Sequence, residues 1–275
     1  MTVHVETAIV PESAVAKRHC MSQIAIWCTV ASEEYELVEF TLDNAVSHPA
    51  VRRIFLVVTG PDKPDQFGYL SRRNAKFREV YRAFGSGYDL SLEEGGYDQV
   101  SARNFALELA EECDSDWLMQ YDADDYYDER IFDAVSRLHD VADSIACSCH
   151  TLVSERSYWY VERLRRRFGP LTLLNPHTRI WKRSLRLRFE PSTRAVVAFR
   201  NATRHCGVRF PPPDQCRAIA LDDVYHFHLH CLLGKRYSLE RNQGWPFEGS
   251  LPESLQVCIS RLKHRSKIVL PDVKI

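Results

Sequence analysis

The chain has 275 residues, with 36 Lys and Arg against 37 Asp and Glu, 45% apolar residues and 27% charged ones. That composition excludes wholesale disorder, and no run approaches the roughly 18 consecutive apolar residues of a spanning helix. The balanced total hides a split: residues 1–140 hold 13 basic and 26 acidic side chains, and residues 141–275 hold 23 and 11, an asymmetry that suggests two jobs on one chain. A pI near 6.8 argues against nucleic acid as a partner. Nine cysteines without a C-x-x-C pair read as reduced thiols, so the expected location is cytoplasmic.

Residues 1–22 read as a loose leader without the basic and apolar blocks of a secretory signal. Ile24 to Val30 is a short apolar run and predicts a buried strand. Ser32, followed by Glu33 and Glu34, predicts the cap of a helix that carries Leu37, Val38, Leu42 and Val46 and stops before Pro49. Ile54 to Val58 predicts a second buried strand, ending in the turn Gly60-Pro61-Asp62-Lys63-Pro64. A basic helix is expected over Arg72–Phe84 and a weak strand over Asp89–Leu92. Ser101 opens a helix with Phe105, Leu109 and Ala110 on one side, and Trp117 to Tyr121 forms the next strand. This alternation predicts an α/β fold, a mostly parallel sheet flanked by helices.

In the second half the patterns predict a helix over Ile131–Val141 and strands over Ser144–Leu152 and Thr178–Lys182. A further strand is expected over Ile219–Leu229, then a helix and a Gly/Pro-rich segment around Gly244–Pro252. Residues 155–188 hold ten basic side chains and two acidic ones, either a solvated face or a surface for an anionic acceptor or membrane. Alternation along Ala220–Cys231 sets Asp222, Val224, His226, His228 and His230 on one side of a strand. Cys147 and Cys149 form a C-x-C that on a strand reads as packing.

The segment Trp117-Leu118-Met119-Gln120-Tyr121-Asp122-Ala123-Asp124-Asp125 delivers three carboxylates at the carboxyl edge of the expected sheet, where ligands of open α/β sheets bind. Carboxylates packed so tightly repel. A divalent cation such as Mg²⁺ or Mn²⁺ relieves that repulsion and bridges to substrate phosphates. Taken bare, a D-x-D is equally a solvated turn capping the next helix.

Upstream stands Ala102-Arg103-Asn104-Phe105-Ala106-Leu107. Together with Asp122-Ala123-Asp124-Asp125 it resembles the nucleotide-sugar half of family 2 glycosyltransferases, which have the Rossmann-like GT-A fold. The opening strand with Ser32-Glu33-Glu34, Trp181-Lys182-Arg183, and Val224-Tyr225-His226-Phe227-His228 are similar to other segments of that family. The resemblance spans about residues 24–240. It implies metal-dependent sugar transfer with inversion from a nucleotide-diphospho-sugar of UDP or GDP type to a saccharide, lipid-linked or protein acceptor. It implies donor contacts from Val30, Ala31, Ser32, Asp62, Arg103 and Asp122. It implies Mn²⁺ or Mg²⁺ on Asp124 with His226 or His228, Asp125 helping, and a general base at Asp222 or Asp223, with Asp214 and Glu190 in reserve. One continuous domain is expected after the leader, a donor half over 23–130 and an acceptor half over 131–275, with peripheral membrane contact through residues 155–188 as an option.

Three other classes remain open from the sequence. A nucleotidyltransferase would want a glycine- and lysine-bearing loop after the first strand, where Val30-Ala31-Ser32-Glu33 has neither. A non-catalytic sugar- or nucleotide-binding protein would keep the fold without transfer. A zinc hydrolase would build on the histidines of 226–230.

Overall fold

The computed structural model describes residues 22–60, 62–84, 99–159, 165–168, 171–191, 206–212, 214–229, 231–232, 244–246 and 250–264. The expected strand over 89–92, the helix after 229, His230 and Arg163 lie outside the described residues. The centre is a parallel sheet of β1 (Ile24–Ala31), β2 (Val51–Thr59), β3 (Phe77–Tyr81) and β4 (Trp117–Asp122), in the order β3-β2-β1-β4. A short β5 (Asp125–Tyr127) follows β4 directly. Beyond β4 the sheet continues through β10 (His177–Lys182), antiparallel to both neighbours, to β6 (Ser144–Ser154). It then reaches β7 (Ser157–Trp159) and β14 (Gly244–Pro246), while β13 (Ala218–His228) runs parallel to β6 and antiparallel to β5. The hairpins β8 (Arg165–Phe168) with β9 (Leu171–Leu174), and β11 (Phe189–Pro191) with β12 (Cys206–Val208), stand apart.

The two-residue period of the central strands sorts their side chains onto two cores. From β1, Ile24, Ile26, Cys28 and Val30 join α1 (Val38–Thr41), α2 (Asp43–Ser47) and α5 (Arg130–Arg137) through Val38, Leu42, Ile131 and Phe132. Ala25 and Trp27 point the other way, onto Ala102, Ala106 and Ala110 of α4 (Gln99–Glu111), beside Trp181 and Phe189. Strands buried on both faces read as unbroken apolar runs, which is why the sequence announces them. A third core joins Phe227 and Leu229 to α6 (Glu253–His264) through Leu255, Cys258, Ile259 and Leu262. Helices therefore flank a mixed, mostly parallel sheet, as expected. No helix among the described residues is long and apolar enough to cross a membrane.

Two local expectations are corrected. Ser32 caps no helix: a 3-10 turn, Ser32–Leu37, leads into α1, and the Ser32 hydroxyl instead donates to the carbonyls of Thr59 and Asp62. The helix expected over 72–84 is a short α3 (Tyr69–Arg73) followed by β3. Asn74 stops α3 in extended conformation, and its side chain accepts from the Lys76 N–H at 2.9 Å, turning the chain into the sheet. The C-terminal extension of the acceptor half, expected as helix or loop, carries the helix α6.

Candidate functional site

At the carboxyl end of the parallel sheet the chain makes a tight acidic knot. The Asp122 N–H donates to Asp125 Oδ2 at 3.0 Å, locking the turn between β4 and β5. The Leu229 N–H donates to the Asp124 carbonyl at 2.8 Å, fastening the end of β13 across it. The β5–β13 register sets His228 opposite Asp125 and His226 opposite Tyr127, where the His226 and Tyr127 rings stack 4.4 Å apart.

The chain itself supplies the cations that relieve this knot. Arg179 donates to Asp122 Oδ2 at 2.6 Å and stands 3.2 Å from Asp125 Oδ2, while Arg103 reaches Asp122 Oδ1 at 3.3 Å. Burial would raise the Asp122 carboxyl, but Arg179 first and Arg103 next hold it down at about 2. Asp125 is fully enclosed, at 0% exposure. Burial would raise it too, yet His226, Arg179 and His228 lower it well below the ordinary range. His228 Nδ1 lies 2.8 Å from Asp125 Oδ1 and 3.7 Å from Asp124. Burial pushes its imidazole down, and Asp124 and Asp125 outweigh that and raise it to about 9. Asp122 and Asp125 are thereby held ionised, with His228 held protonated beside them at neutral pH.

Arg179 arrives there through a bulge. Thr178 pairs with Ala146 and Ile180 with the adjacent Ile145, so Arg179 is the extra residue in β10. Bulges re-aim a side chain in this way. Beside Arg103 on α4, Asn104 turns to a different partner. It accepts from the Phe189 N–H at 2.7 Å and donates to the Phe189 carbonyl at 3.0 Å, pinning β11 to α4. The Arg103 guanidinium lies over the Phe189 ring, 5.5 Å from its centre.

The remaining expected site residues divide into three groups. Val30 and Ala31 are buried at the end of β1. Ser32 and Asp62 meet at the ends of β1 and β2, linked by the Ser32 hydroxyl, and Asp62 is exposed. Gly60, between them, has a φ of 135°, and a Cβ there would come within 2.6 Å of Ser32 Oγ, so this turn requires glycine. His226 is fully buried, against Asp125, Tyr127 and His177. Asp222 and Asp223 stand outside the knot. The ladder jumps from Leu221 to Tyr225 against consecutive residues of β6, so the segment between bulges out and both carboxylates face solvent. Asp223 pairs with Arg130 at 3.3 Å instead of entering the knot.

Asp122 meets guanidiniums at both oxygens, Asp125, His226 and His228 bring one donor atom each within 4.8 Å of one another, and Asp124 and His228, with side chains 14% and 22% exposed, are the more open carboxylate and imidazole beside them. One carboxylate and one imidazole fit Mg²⁺ or Mn²⁺, which keep waters and take substrate phosphates as further ligands. A cavity of about 740 Å³ opens elsewhere, lined by Phe40, Asn44, Tyr126, Arg130, Ser254 and Arg261.

No protein-family model and no curated protein matches the sequence. Among solved structures, the chain is similar to S. aureus TarS 1-349 at 13% identity and a TM-score of 0.45, covering 75% of this chain and 60% of that one. It is similar to TarS 1-349 in complex with UDP-GlcNAc at 13% identity and a TM-score of 0.43, covering 81% and 61%. The chain thus spans about three fifths of these structures, and 36% of the longer TarS structure. At such identity and TM-scores the likeness transfers no function.

Proposed function

We propose that the chain is a GT-A glycosyltransferase that binds a nucleotide-diphospho-sugar across the carboxyl ends of β1, β2 and β4. The observation that carries this reading is the Asp122–Arg103–Arg179 array beside Asp124 and His228 at a strand end. A carboxylate kept ionised by two guanidiniums is a rigid acceptor for paired hydroxyls such as those of a ribose. Arg103 keeps its buried Nε without a hydrogen-bond partner, a donor aimed by the fold and not used by it. Asp124 and His228 are the residues that would hold Mn²⁺ or Mg²⁺; the ion, when bound, supplies positive charge to a departing diphosphate. For His228 to serve, its second ring nitrogen gives up its proton while Nδ1 stays on Asp125, the usual orientation of a ligand histidine by a carboxylate.

The transfer step needs a base for an acceptor hydroxyl, and the exposed Asp222 and Asp223 are not carried forward in that role. The exposed Arg165, Arg166 and Arg167 of β8 are the proposed contact for an anionic acceptor or membrane surface, in keeping with a cytoplasmic enzyme. Calorimetric titration with UDP and GDP, with and without Mn²⁺, tests the reading. Asp124→Ala is expected to abolish the Mn²⁺-dependent part of binding, and Arg103→Ala to weaken binding at least about tenfold, one lost charge-assisted contact. Undiminished binding by both variants would overturn it.

A further inference from the structure

Below the acidic knot, three adjacent strands bring together side chains that the donor site does not use. In the sheet register His177 of β10 lies opposite Cys147 of β6, and His226 of β13 lies opposite Cys149, two residues along the same face of β6. One donor atom from each of Cys149, His177 and His226 lies within 4.8 Å of the others. The two imidazole rings are 5.2 Å apart. A tetrahedral ion at about 2.0–2.1 Å from nitrogen and about 2.3 Å from sulfur spaces its ligand atoms roughly 3.3–3.8 Å apart. Small side-chain rotations close that gap.

A second observation is independent of this spacing. His177 Nδ1 and His226 Nδ1 are buried without a hydrogen-bond partner. Leaving such atoms unsatisfied costs about 1–3 kcal/mol each, and folded proteins seldom do so. Cys149 is 2% exposed and His226 0%. His226 Nε2 sits 2.7 Å from Asp125 Oδ1, close enough for the carboxylate to orient the ring. The other nitrogen then faces away from Asp125.

We infer that Cys149, His177 and His226 form a buried binding site for a borderline-soft divalent cation of the zinc class, cross-bracing β6, β10 and β13. A thiolate and two imidazoles suit that class, whereas the oxygen-bearing donor pair Asp124 and His228 suits Mg²⁺ or Mn²⁺. On uptake the Cys149 S–H bond breaks, its proton leaves to solvent, and the sulfur–metal bond forms; both imidazoles bind neutral and nothing is oxidised or reduced. The nearby Arg179 charge is offset by Asp122 and Asp125, which already hold it. Three protein ligands leave one position on the ion, on which nothing here depends.

Elemental analysis of the purified full chain, followed by cobalt(II) titration of chelator-treated protein read by visible absorption, tests the site. Close to one zinc per chain is expected, with a thiolate-to-cobalt charge-transfer band on titration. Cys149→Ser is expected to abolish the band, and His177→Asn to weaken cobalt binding at least tenfold. Both variants should keep the Mn²⁺-dependent response to UDP, because neither residue belongs to the donor site. Absence of metal in the wild-type protein together with no charge-transfer band overturns the inference, and that result needs no variant to fold. A band that survives Cys149→Ser overturns the ligand assignment. Failure of UDP binding with zinc intact would count against the proposed function and leave this site standing.

Discussion

Arg179 is the residue on which the acidic knot depends most. It is buried against two carboxylates, and the lowering that burial alone would cause is outweighed by Asp122 and Asp125, which raise its guanidinium well above the ordinary value. Removing one partner of a buried ion pair leaves the others uncompensated and costs about 3–5 kcal/mol. Arg179→Met should lower the urea midpoint accordingly, with Arg179→Lys between it and the wild type; equal midpoints would refute the pairing. His228 makes a pH prediction. Its folded value of about 9 stands above the ordinary 6.5, so its stabilising contribution is full below pH 6.5 and is lost as pH rises through 9. Unfolding free energies measured from pH 6 to 10 should fall in the wild type and fall less in His228→Gln. Asp122 works in the opposite sense. Held at about 2 against an ordinary 3.8, its contribution is present above pH 3.8 and is lost as pH falls through 2.

At the scale of elements, legibility followed burial. Ile24 to Val30, Ile54 to Val58 and Trp117 to Tyr121 are buried on both faces, and that forces unbroken apolar runs that no helix of their length would need. The Asp122–Asp125 knot was readable because an apolar strand must end somewhere, and charges mark the place. What was not readable came from register. The bulge that delivers Arg179, and the one that expels Asp222 and Asp223, follow from how β10 and β13 fit against β6; shifts of one and three residues leave no mark in composition. The signal for α6 was present, since Leu255, Cys258, Ile259 and Leu262 recur at helical spacing. Asn104 shows how one motif joins two elements. Asn104→Ala removes two hydrogen bonds that hold β11, at a cost of about 1–3 kcal/mol. Hydrogen exchange should quicken at Phe189 while the central strands stay protected; unchanged exchange there would show that β11 is held by packing alone.

For the whole molecule, the antiparallel strand β10 joins the two halves that the charge count distinguished. It lies between β4 and β6 and carries a guanidinium out of the basic stretch 155–188 into the acidic edge. Part of the −13 and +12 is therefore spent inside the fold, while Arg165 to Arg167 remain on the surface. This arrangement has a consequence for the order in which the protein can be made. When synthesis has reached residue 140, β1 to β4 and α4 with Arg103 are complete in sequence, but Arg179, the second and more closely held guanidinium of their carboxyl edge, is still some forty residues away. A fragment of residues 22–140 should therefore be loosely folded near neutral pH, and tighten on addition of residues through Lys182. Circular dichroism and proteolysis of the two fragments would read this directly. A sharply folded 22–140 fragment would show the first half to be self-sufficient. On the present geometry, a nascent chain holds its most acidic strand end open until its own later arginine arrives to close it.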